Sequence, residues 1–574
     1  MNIGSSKPLD PTVATMTHPL PRTGARILVD ALAIHGVDTV FCVPGESYLA
    51  VLDALHESHR SIRTITCRHE AGAANMAEAF GKSTGRPGVA MVTRGPGACH
   101  ASIGLHTAAQ DSTPMILFIG QVALGASERE AFQEIDYRKF LAPICKWTGQ
   151  IDDPARIPEL LSRAFHQSVS GRPGPVAIAL PEDMLRKEAT VHDTKAYRPI
   201  SPGVASDDLH PLRSLLAEAQ RPMAIVGGGG WNAKASEDLA QFAEGNRIPV
   251  AASFRCQDRL DNRHPCYVGD LGTAADPDLA RRVREADLLL VIGARLGEIT
   301  TCGYELVSVP EPRQRLIHIH PDPEELGRVY RPTYAICAAS DRFLSAAAEM
   351  PPVDFSAWDD HTASARAAYL ASLESTPDLP GALQMGEVMA YLRNRLPPEA
   401  ILTTDAGNFS GWMQRHYLYR AWPSQIGPTS GAMGYGIPAA ISARLVFPDR
   451  PVVGFCGDGG ALMSGQEIAT AIHHGIDPVI LVVDNGMYGT IRLHQERDYP
   501  GRTIATSLSN PDFTAWARSF GAFAERVERS EDFPAAFERA LGAGRIAVLE
   551  LPIDPELITT RASLSQLRGT GSPH

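Results

Sequence analysis

The chain has 574 residues, of which 44% are hydrophobic, and a formal net charge of −12. This length exceeds what one core sustains and suits about three or four domains. The acidic balance, with a pI near 5.9, excludes a broad basic surface for nucleic acid or anionic membranes. The nine cysteines lack CxxC or zinc-type spacing, which predicts free thiols in a reducing compartment. The sequence shows neither a long apolar run nor a signal-peptide core, so we expect a cytoplasmic protein without a membrane span.

Three blocks of the chain alternate short Val/Ile-rich runs with helical periodicity, the pattern of parallel α/β units. They span residues 22–188, 206–350 and 383–560. The predicted strands lie in DTVFCVPG, RTITCRHE, GVAMVTRGPG, PMILFIGQ and GPVAIALPED of the first block, in RPMAIVGGGGW, IPVAAS, ADLLLVIGARLG and RLIHIHPD of the second, and in AILTTDAGN, PVVGFCGDGG, PVILVVDNG and IAVLELPID of the third.

The segments between and outside these blocks have a different composition. Residues 187–205 and 351–380 are polar and contain prolines, which predicts linkers. Residues 1–21 and 561–574 are predicted to form flexible tails. The sequence therefore predicts an α/β protein of three parallel-sheet domains, of which the first and third share a similar rhythm of strands.

Two predicted strands of the third block end in residues that suit a magnesium ion. A GDGG turn at 457–460 follows one strand, and a DNG turn at 484–486 follows the next. Asp458 offers a charged oxygen, Asn485 a neutral one 27 positions later, and the Met487 carbonyl a third ligand. The first turn also directs backbone amides and the positive end of a helix at an anion. An isolated GDG has a simpler interpretation as a tight turn without a ligand.

The order of GDG, helix, strand, asparagine and YG resembles the diphosphate motif of thiamine-diphosphate (ThDP) enzymes. The resemblance implies that Asp458, Asn485 and the Met487 carbonyl hold Mg²⁺ against the diphosphate of the cofactor. It also assigns neighbouring residues to cofactor binding, namely Gly457, Gly459, Gly460 and Tyr488, with Gly407, Asn408 and Phe409 after the strand in ILTTDAG.

ThDP is activated by a carboxylate that bonds its aminopyrimidine ring, and Glu70 is the candidate. It lies in TCRHEAGAANMAEAF, just past a predicted strand and in the first turn of a helix. From position alone, an acid favoured by the helix dipole is the simpler interpretation. The stretch is, however, similar to the HE-x-GA-x-x-MAE-x-(F/Y) segment of the ThDP pyrimidine-binding domain, which implies that Glu70 is the activating acid. Glu46, Asp53 and Glu78 are weaker candidates, interpreted as surface or helix residues.

The same resemblance assigns two further segments to the cofactor. In GPTSGAMGYGIPAAI, it implies that Met433 wedges beneath the bond that joins the two rings of ThDP. The backbone of Gly431 and Met433 would bond the edge of the aminopyrimidine. Pro44 and Gly45, at the end of DTVFCVPG, are assigned to the same cofactor site.

Nearly the whole chain is similar to ThDP enzymes that decarboxylate and ligate 2-oxo acids, and most similar to the catalytic subunits of acetolactate (acetohydroxyacid) synthases. AFQEIDYRKFLAPICKW and SLSNPDFTAWARSFGA carry this likeness. It maps Phe132, Gln133 and Lys146 to the approach to the active site. It also implies that Gln110 orients an acyl acceptor, with a supporting role behind the site as an equal alternative.

Departures from that family leave two points open: the identity of the acceptor substrate and the presence of a second cofactor. His494 and Thr490 stand where its biosynthetic members carry a tryptophan and a methionine. In the middle block, GGGGW and VIGARLGE resemble the flavin-contacting part of the family, but the GARFDDR pattern stops after Arg295. FAD is therefore a doubtful ligand, and an empty Rossmann-like domain is the alternative.

The implied reaction is ThDP- and Mg²⁺-dependent decarboxylation of a 2-oxo acid, pyruvate by default, with carboligation of the remaining carbon unit to a second carbonyl. The alternative is a ThDP-dependent lyase or simple decarboxylase of another 2-oxo acid or a 2-hydroxyacyl-CoA. A nicotinamide dehydrogenase lacks the GxGxxG signature, and a non-catalytic paralogue would be expected to lack Glu70 or Asp458. The resemblance further implies that Glu70 of one chain meets Asp458 of another, in a homodimer or homotetramer, and a regulatory subunit is possible.

Overall fold

The structure, a computed structural model, describes residues 20–374 and 379–568. Residues 1–19 of the predicted N-terminal tail and 569–574 of the predicted C-terminal tail lie outside the described part. Within it, no helix is long and apolar enough to cross a membrane.

The amino-terminal domain is a six-stranded parallel sheet covered by helices, with strand order β3-β2-β4-β5-β7-β6. Strands β5 and β7 lie inside the sheet and are buried along their whole length, because helices cover both faces. Its elements are β1 (Arg22–Thr23), α1 (Gly24–Ile34), β2 (Thr39–Cys42), α2 (Leu49–Glu57), β3 (Arg63–Thr66), α3 (Glu70–Thr84), β4 (Gly88–Val92), α4 (Gly95–Asp111), β5 (Met115–Gln121), α5 (Tyr137–Leu141), β6 (Trp147–Gln150), α6 (Ile157–Val169), β7 (Pro175–Pro181), α7 (Glu182–Arg186) and β8 (Glu188–Ala189).

The central domain is a second six-stranded parallel sheet, with strand order β11-β10-β9-β12-β13-β14. Counted within the domain, this is the 3-2-1-4-5-6 order of the Rossmann fold, which confirms the Rossmann-like prediction. Its elements are α8 (Leu209–Ala217), β9 (Pro222–Val226), α9 (Ala233–Asn246), β10 (Val250–Ser253), β11 (Tyr267–Leu271), α10 (Pro277–Glu285), β12 (Leu288–Ile292), β13 (Arg315–His320), β14 (Tyr334–Cys337) and α11 (Ser340–Ala348).

The carboxy-terminal domain has the strand order β16-β15-β17-β18-β20-β19, which repeats the order of the first domain. Its elements follow α12 (Asp359–Glu374) and are α13 (Met385–Arg395), β15 (Ile401–Thr404), α14 (Ser410–His416), β16 (Gln425–Ile426), α15 (Gly436–Val446), β17 (Val452–Gly457), α16 (Asp458–Ser464), α17 (Ile468–His474), β18 (Val479–Asp484), α18 (Gly489–Asp498), α19 (Phe513–Ser519), β19 (Phe523–Arg526), α20 (Phe533–Leu541), β20 (Ala547–Pro552) and α21 (Leu564–Arg568).

The segment predicted as a linker at 351–380 contains helix α12, which packs against the central sheet. Arg366 donates from Nη1 to the carbonyl of Tyr267 at 2.8 Å, and the Tyr369 ring meets the Tyr267 ring edge to face. The linker prediction is therefore wrong over most of this segment. Helix α12 is alanine-rich and closes one side of the central domain.

The first and third domains share one hydrophobic core, which runs between helices α3 and α15. Ser442 of α15 donates from Oγ to the carbonyl of Met76 in α3 at 2.8 Å. In each open sheet, ligands bind beyond the carboxyl ends of the strands where the strand order reverses. In the third domain this point lies between β15 and β17, directly beside the GDGG turn.

Candidate active site

The three domains enclose a cavity of about 1630 Å³, called here the main cavity. It opens at the carboxyl ends of β15, β17 and β18 and continues over the central sheet. Many of the residues predicted from the sequence line it, namely Gln110, Gly407, Asn408, Phe409, Gly431, Met433, Gly457, Asp458, Gly459, Gly460, Asn485, Met487, Tyr488, Thr490 and His494.

Asp458 begins helix α16 at the end of β17 and is buried. Its Oδ1 accepts a hydrogen bond from the Gly459 amide at 2.9 Å, and its Oδ2 accepts one from Asn510 Nδ2 at 2.8 Å. Burial raises the pKa of Asp458 to about 6, and the neighbouring Asp484 carboxylate adds to the rise. The sequence did not predict a role for Asp484 or Asn510.

Asn485 follows β18 and lines the main cavity together with Asp458. Its Oδ1 accepts a hydrogen bond from the Met487 amide at 3.2 Å, which folds the loop back on itself. A carboxylate, an amide oxygen and a peptide carbonyl are hard oxygen donors of the kind that magnesium prefers. The residues present therefore fit a magnesium ion that binds a diphosphate.

Asp405, at the end of β15, holds the loop that carries Met433. Its carboxylate accepts hydrogen bonds from the amides of Gly434 at 2.9 Å, Tyr435 at 3.2 Å and Ala406 at 2.9 Å. Burial raises the pKa of Asp405 to about 6, although these hydrogen bonds oppose the rise. The carboxylate thus fixes the backbone immediately after Met433.

Glycines bring the diphosphate turn close to its neighbours. A Cβ at Gly460 would lie 2.0 Å from Asp405 Oδ2, and one at Gly459 would lie 2.7 Å from the Tyr488 ring. The turn therefore has no room for a side chain at either position. Backbone amides can approach a phosphate closely in such a turn.

Helix α18 lines one wall of the main cavity. It carries Thr490 and His494, which the sequence assigned to substrate binding. Thr490 accepts a hydrogen bond from the Asn408 amide at 2.9 Å through Oγ1, which ties α18 to the loop after β15. His494 lies one turn further along and also faces the cavity. Thr490 and His494 thus lie next to the predicted diphosphate residues.

Glu70 is the first residue of α3 and belongs to a separate group, the glutamate cluster, which comprises Gly45, Glu70, Thr93, Gly97 and His100. His100 Nδ1 lies 2.9 Å from Glu70 Oε2. A Cβ at Gly97 would lie 3.5 Å from Glu70 Oε1, and one at Gly45 would lie 2.4 Å from Thr93 Cβ. Pro44 precedes Gly45 at this exposed edge.

The segment before Glu70 is held by an acid that the sequence did not reveal. Glu467 is buried in the third domain and accepts hydrogen bonds from the amides of Arg68 at 3.2 Å and His69 at 2.9 Å. The His69 side chain in turn accepts a hydrogen bond from the Ala71 amide and caps α3. Glu467 therefore positions the start of the helix that carries Glu70.

Phe132 and Gln133 lie beside the glutamate cluster and not along the main cavity. The Gln133 carbonyl accepts a hydrogen bond from the Gly95 amide at 3.0 Å, and the Phe132 side chain is 74% exposed. Lys146 lies elsewhere, where its Nζ donates to the Ser170 carbonyl at 2.5 Å. Within a single chain, Lys146 therefore lies neither in the glutamate cluster nor along the main cavity.

A buried charged network joins the first and third domains next to the main cavity. Glu78, interpreted from the sequence as a surface or helix residue, lies in α3 and is fully buried. It accepts hydrogen bonds from Thr113 at 2.7 Å and from the Tyr435 hydroxyl at 2.5 Å. Lys82 pairs with Glu78 at 3.3 Å and with Asp111. Burial would lower the pKa of Lys82, but the two carboxylates raise it overall.

The main cavity continues over the switch point of the central sheet. Gly228 and Gly293 follow the adjacent strands β9 and β12, and a Cβ at Gly228 would lie 2.1 Å from the Gly293 carbonyl oxygen. Trp231 and Arg295 line this part of the cavity, and Arg295 donates a hydrogen bond to the carbonyl of Gln110. This end of the cavity has the position at which Rossmann-type domains bind nucleotides.

Family models for thiamine pyrophosphate enzymes match the chain in all three domains. The N-terminal TPP binding domain matches residues 22–140, the central domain residues 209–347 and the C-terminal TPP binding domain residues 405–551. Together with the cavity geometry, these matches define a thiamine-diphosphate enzyme.

Curated relatives narrow this class. The chain is 34% identical to the acetolactate synthase large subunit of Parasynechococcus marenigrum over 89% of this chain and 84% of the relative. It is 32% identical to the probable acetolactate synthase large subunit of Methanocaldococcus jannaschii, over 93% and 92%. It is 30% identical to the acetolactate synthase isozyme 2 large subunit of Escherichia coli, over 92% and 95%. The chain belongs to the acetolactate synthase large-subunit family.

Proposed function

We propose that this protein decarboxylates a 2-oxo acid, pyruvate by default, and ligates the remaining carbon unit to a second carbonyl compound. The proposal is supported above all by Asp458 and Asn485, which project from adjacent strand ends into the main cavity. ThDP, when bound, would supply a carbanion that adds to the 2-oxo group and a ring that takes up the electron pair left behind when carbon dioxide departs.

The residues of the chain have distinct roles in this proposal. Asp458, Asn485 and the Met487 carbonyl hold magnesium, and Gly457, Gly459 and Gly460 admit the diphosphate. Met433 would support the cofactor, in a loop that Asp405 fixes through backbone amides. An active site that excludes water from the substrate carboxylate favours its loss as carbon dioxide.

A second copy of the chain is needed to complete the site. Among the described residues, the glutamate cluster stands apart from those that line the main cavity. We therefore assign Glu70 and the neighbouring Phe132 and Gln133 to the cavity of a partner in a homodimer, or in a homotetramer of such dimers. In that arrangement Glu70 bonds the aminopyrimidine and holds the proton that the ring must exchange.

Mixing two inactive variants tests this shared site. Glu70→Gln and Asp458→Ala each disable every site of their own homodimer. A hybrid dimer has one site that combines Glu70 and Asp458, so a refolded equal mixture should recover about a quarter of wild-type activity. A mixture that stays inactive would show that Glu70 and Asp458 of the same chain act in one active site.

The central part of the main cavity supports a second ligand of the nucleotide type. Its position over β9 and β12 and the close approach of Gly228 and Gly293 favour FAD over an empty domain. A purified protein with the visible absorption of a flavin, released on denaturation, would establish this. A colourless protein that does not retain added FAD would contradict flavin binding. The central domain would then have a structural role alone.

The relatives are named large subunits, which supports a separate regulatory subunit. The free cysteines support a cytoplasmic location.

The decisive experiment for the proposed reaction supplies pyruvate alone with ThDP and Mg²⁺ and identifies the product. A 2-hydroxy-3-oxo acid is expected. Release of an aldehyde would favour a simple decarboxylase, and no consumption of pyruvate would favour a lyase of another 2-oxo acid or of a 2-hydroxyacyl-CoA.

A further inference from the structure

Asn510 joins two carboxylates at the edge of the main cavity. Its Nδ2 donates to Asp458 Oδ2 and to Asp484 Oδ1, each at 2.8 Å. A side-chain amide has two N–H donors, so it can serve both acceptors at once. Asp458 comes from the end of β17 and Asp484 from the end of β18, so this single side chain bridges the two strand ends of the metal site.

The main chain around Asn510 is fixed to the same loop. The Tyr488 amide donates to the Thr506 carbonyl at 2.9 Å, and the Leu508 amide donates to the Gly486 carbonyl at 2.8 Å. Met487 and Ser507 form an antiparallel bridge between these two bonds. The segment that presents Asn510 is therefore bonded on both sides of the residue whose carbonyl is assigned to the metal.

The far side of the segment is anchored in the core. Phe513 begins α19 and is fully buried, and Asp512 caps the helix by accepting a hydrogen bond from the Ala515 amide at 2.9 Å. Asn510 lies between this anchor and the backbone bonds to the metal loop. The position of its amide group is thus set by contacts within the chain.

Two neighbouring carboxylates repel each other, and a donor or a cation between them reduces this repulsion. Each carboxylate oxygen has two lone pairs, so a hydrogen bond from Asn510 leaves Asp458 able to bind a cation as well. The N–H that reaches Asp458 Oδ2, together with the Gly459 amide at Oδ1, also fixes the rotation of the Asp458 carboxylate. Orienting partners of this kind are worth about 10- to 100-fold in metal affinity.

We infer that Asn510 is a positioning residue for the divalent cation, which acts by holding the Asp458 carboxylate and by reducing its repulsion from Asp484. This inference rests on the metal site proposed at Asp458 and Asn485. It assigns a role to the SNPDF segment that is distinct from contact with substrate.

The melting temperature of the purified protein, followed as Mg²⁺ is added at a constant ThDP concentration, tests the inference without any measurement of turnover. Asn510→Ala should raise the Mg²⁺ concentration at the midpoint of the stabilisation by about 10- to 100-fold. Ser509→Ala changes the exposed neighbour in the same segment and should keep the wild-type midpoint. Asn510→Ser retains a shorter donor and should give an intermediate midpoint. This variant replaces Asn510→Ala in the titration if the alanine variant does not fold.

Asp458→Ala, measured in the same way, separates the two possible failures. If Asp458→Ala loses the response to Mg²⁺ while both Asn510 variants keep the wild-type midpoint, Asn510 has no role in positioning and the metal site stands. If Asp458→Ala responds to Mg²⁺ like the wild type, the proposed metal site and the inference both fail.

Discussion

His100 holds one of the two carboxylate oxygens of Glu70: its Nδ1 lies 2.9 Å from Oε2. The other oxygen, Oε1, lies on the side of Gly97, where a Cβ would be 3.5 Å away. The His100 ring also stacks on His69 at 4.5 Å between centroids. The carboxylate is thus restrained at one oxygen, which leaves the other for the proposed bond to the aminopyrimidine ring.

Replacing Glu70 with Gln should leave the binding of Mg²⁺ and ThDP largely intact, because Glu70 lies apart from the metal residues and the glutamine amide can still bond the aminopyrimidine ring. Turnover should fall by about 10²- to 10⁴-fold, since the amide cannot exchange a proton with the ring. Titration calorimetry with ThDP and a steady-state assay measure the two effects. Full activity in this variant would refute the assignment of Glu70.

Replacing His100 with Ala should lower kcat by about tenfold, the effect of losing one hydrogen bond to a charged group. The loss should be smaller than in Glu70→Gln, because the carboxylate itself remains. His56→Ala alters an exposed histidine of α2 and serves as the control. A His100→Ala enzyme with unchanged kcat would show that the carboxylate keeps its orientation unaided.

The interior of each sheet could be predicted from the sequence, but most edge strands could not. β6, β11, β14, β16 and β19 were all missed, and each lies at an edge of its sheet. β14 and β19 each have a single buried residue among four, so they lack the continuous apolar run that marks a strand covered on both faces. The three-domain α/β prediction itself is confirmed.

The metal site could be proposed from the sequence because its residues follow two strands that are consecutive in the chain. Asp405 and Asn510 were missed because their partners are distant in sequence: Asp405 binds the amide of Gly434, and Asn510 binds Asp458. An acid that follows a predicted strand in TTDAGN was the available signal for Asp405. Nothing local distinguishes Asn510 from an ordinary turn asparagine.

Replacing Lys82 with Met should destabilise the protein, because it leaves Glu78 and Asp111 buried without their cation. Removing one partner of a buried ion pair costs about 3–5 kcal/mol. Urea denaturation measures the free energy of unfolding. Lys139→Met removes an exposed lysine that pairs with Asp136, the cap of its own helix, and should change stability little. Equal stability of both variants would contradict a structural role for the network.

Replacing Gly460 with Ala should weaken the binding of ThDP. The added Cβ would lie 2.0 Å from Asp405 Oδ2, so Asp405 must move and release the backbone after Met433. Overpacking of this kind costs about 1–3 kcal/mol. Gly125→Ala is the control, because a Cβ at Gly125 meets nothing within 4 Å. A Gly460→Ala protein with wild-type affinity for ThDP would show that Asp405 does not fix this loop.

The buried carboxyl group of Asp270 should make the free energy of unfolding decrease as the pH rises. It lies on β11, and its Oδ2 is enclosed without a hydrogen-bond partner among the described residues. Burial raises the pKa of Asp270 from 3.8 to about 7. Between these values the folded protein holds a proton that the unfolded chain has released, so the free energy of unfolding decreases as pH rises and levels off above pH 7.

Asp270→Asn removes this charge and should therefore be more stable than the wild type at pH 8, by a few kcal/mol. The two proteins should converge only well below pH 3.8, where Asp270 is protonated in both states. Urea denaturation at a series of pH values gives both curves, with Asp449→Asn as a control for an exposed aspartate. A constant difference across the whole range would mean that Asp270 stays ionised in the fold, because only a proton held between pH 4 and 7 makes the curves diverge.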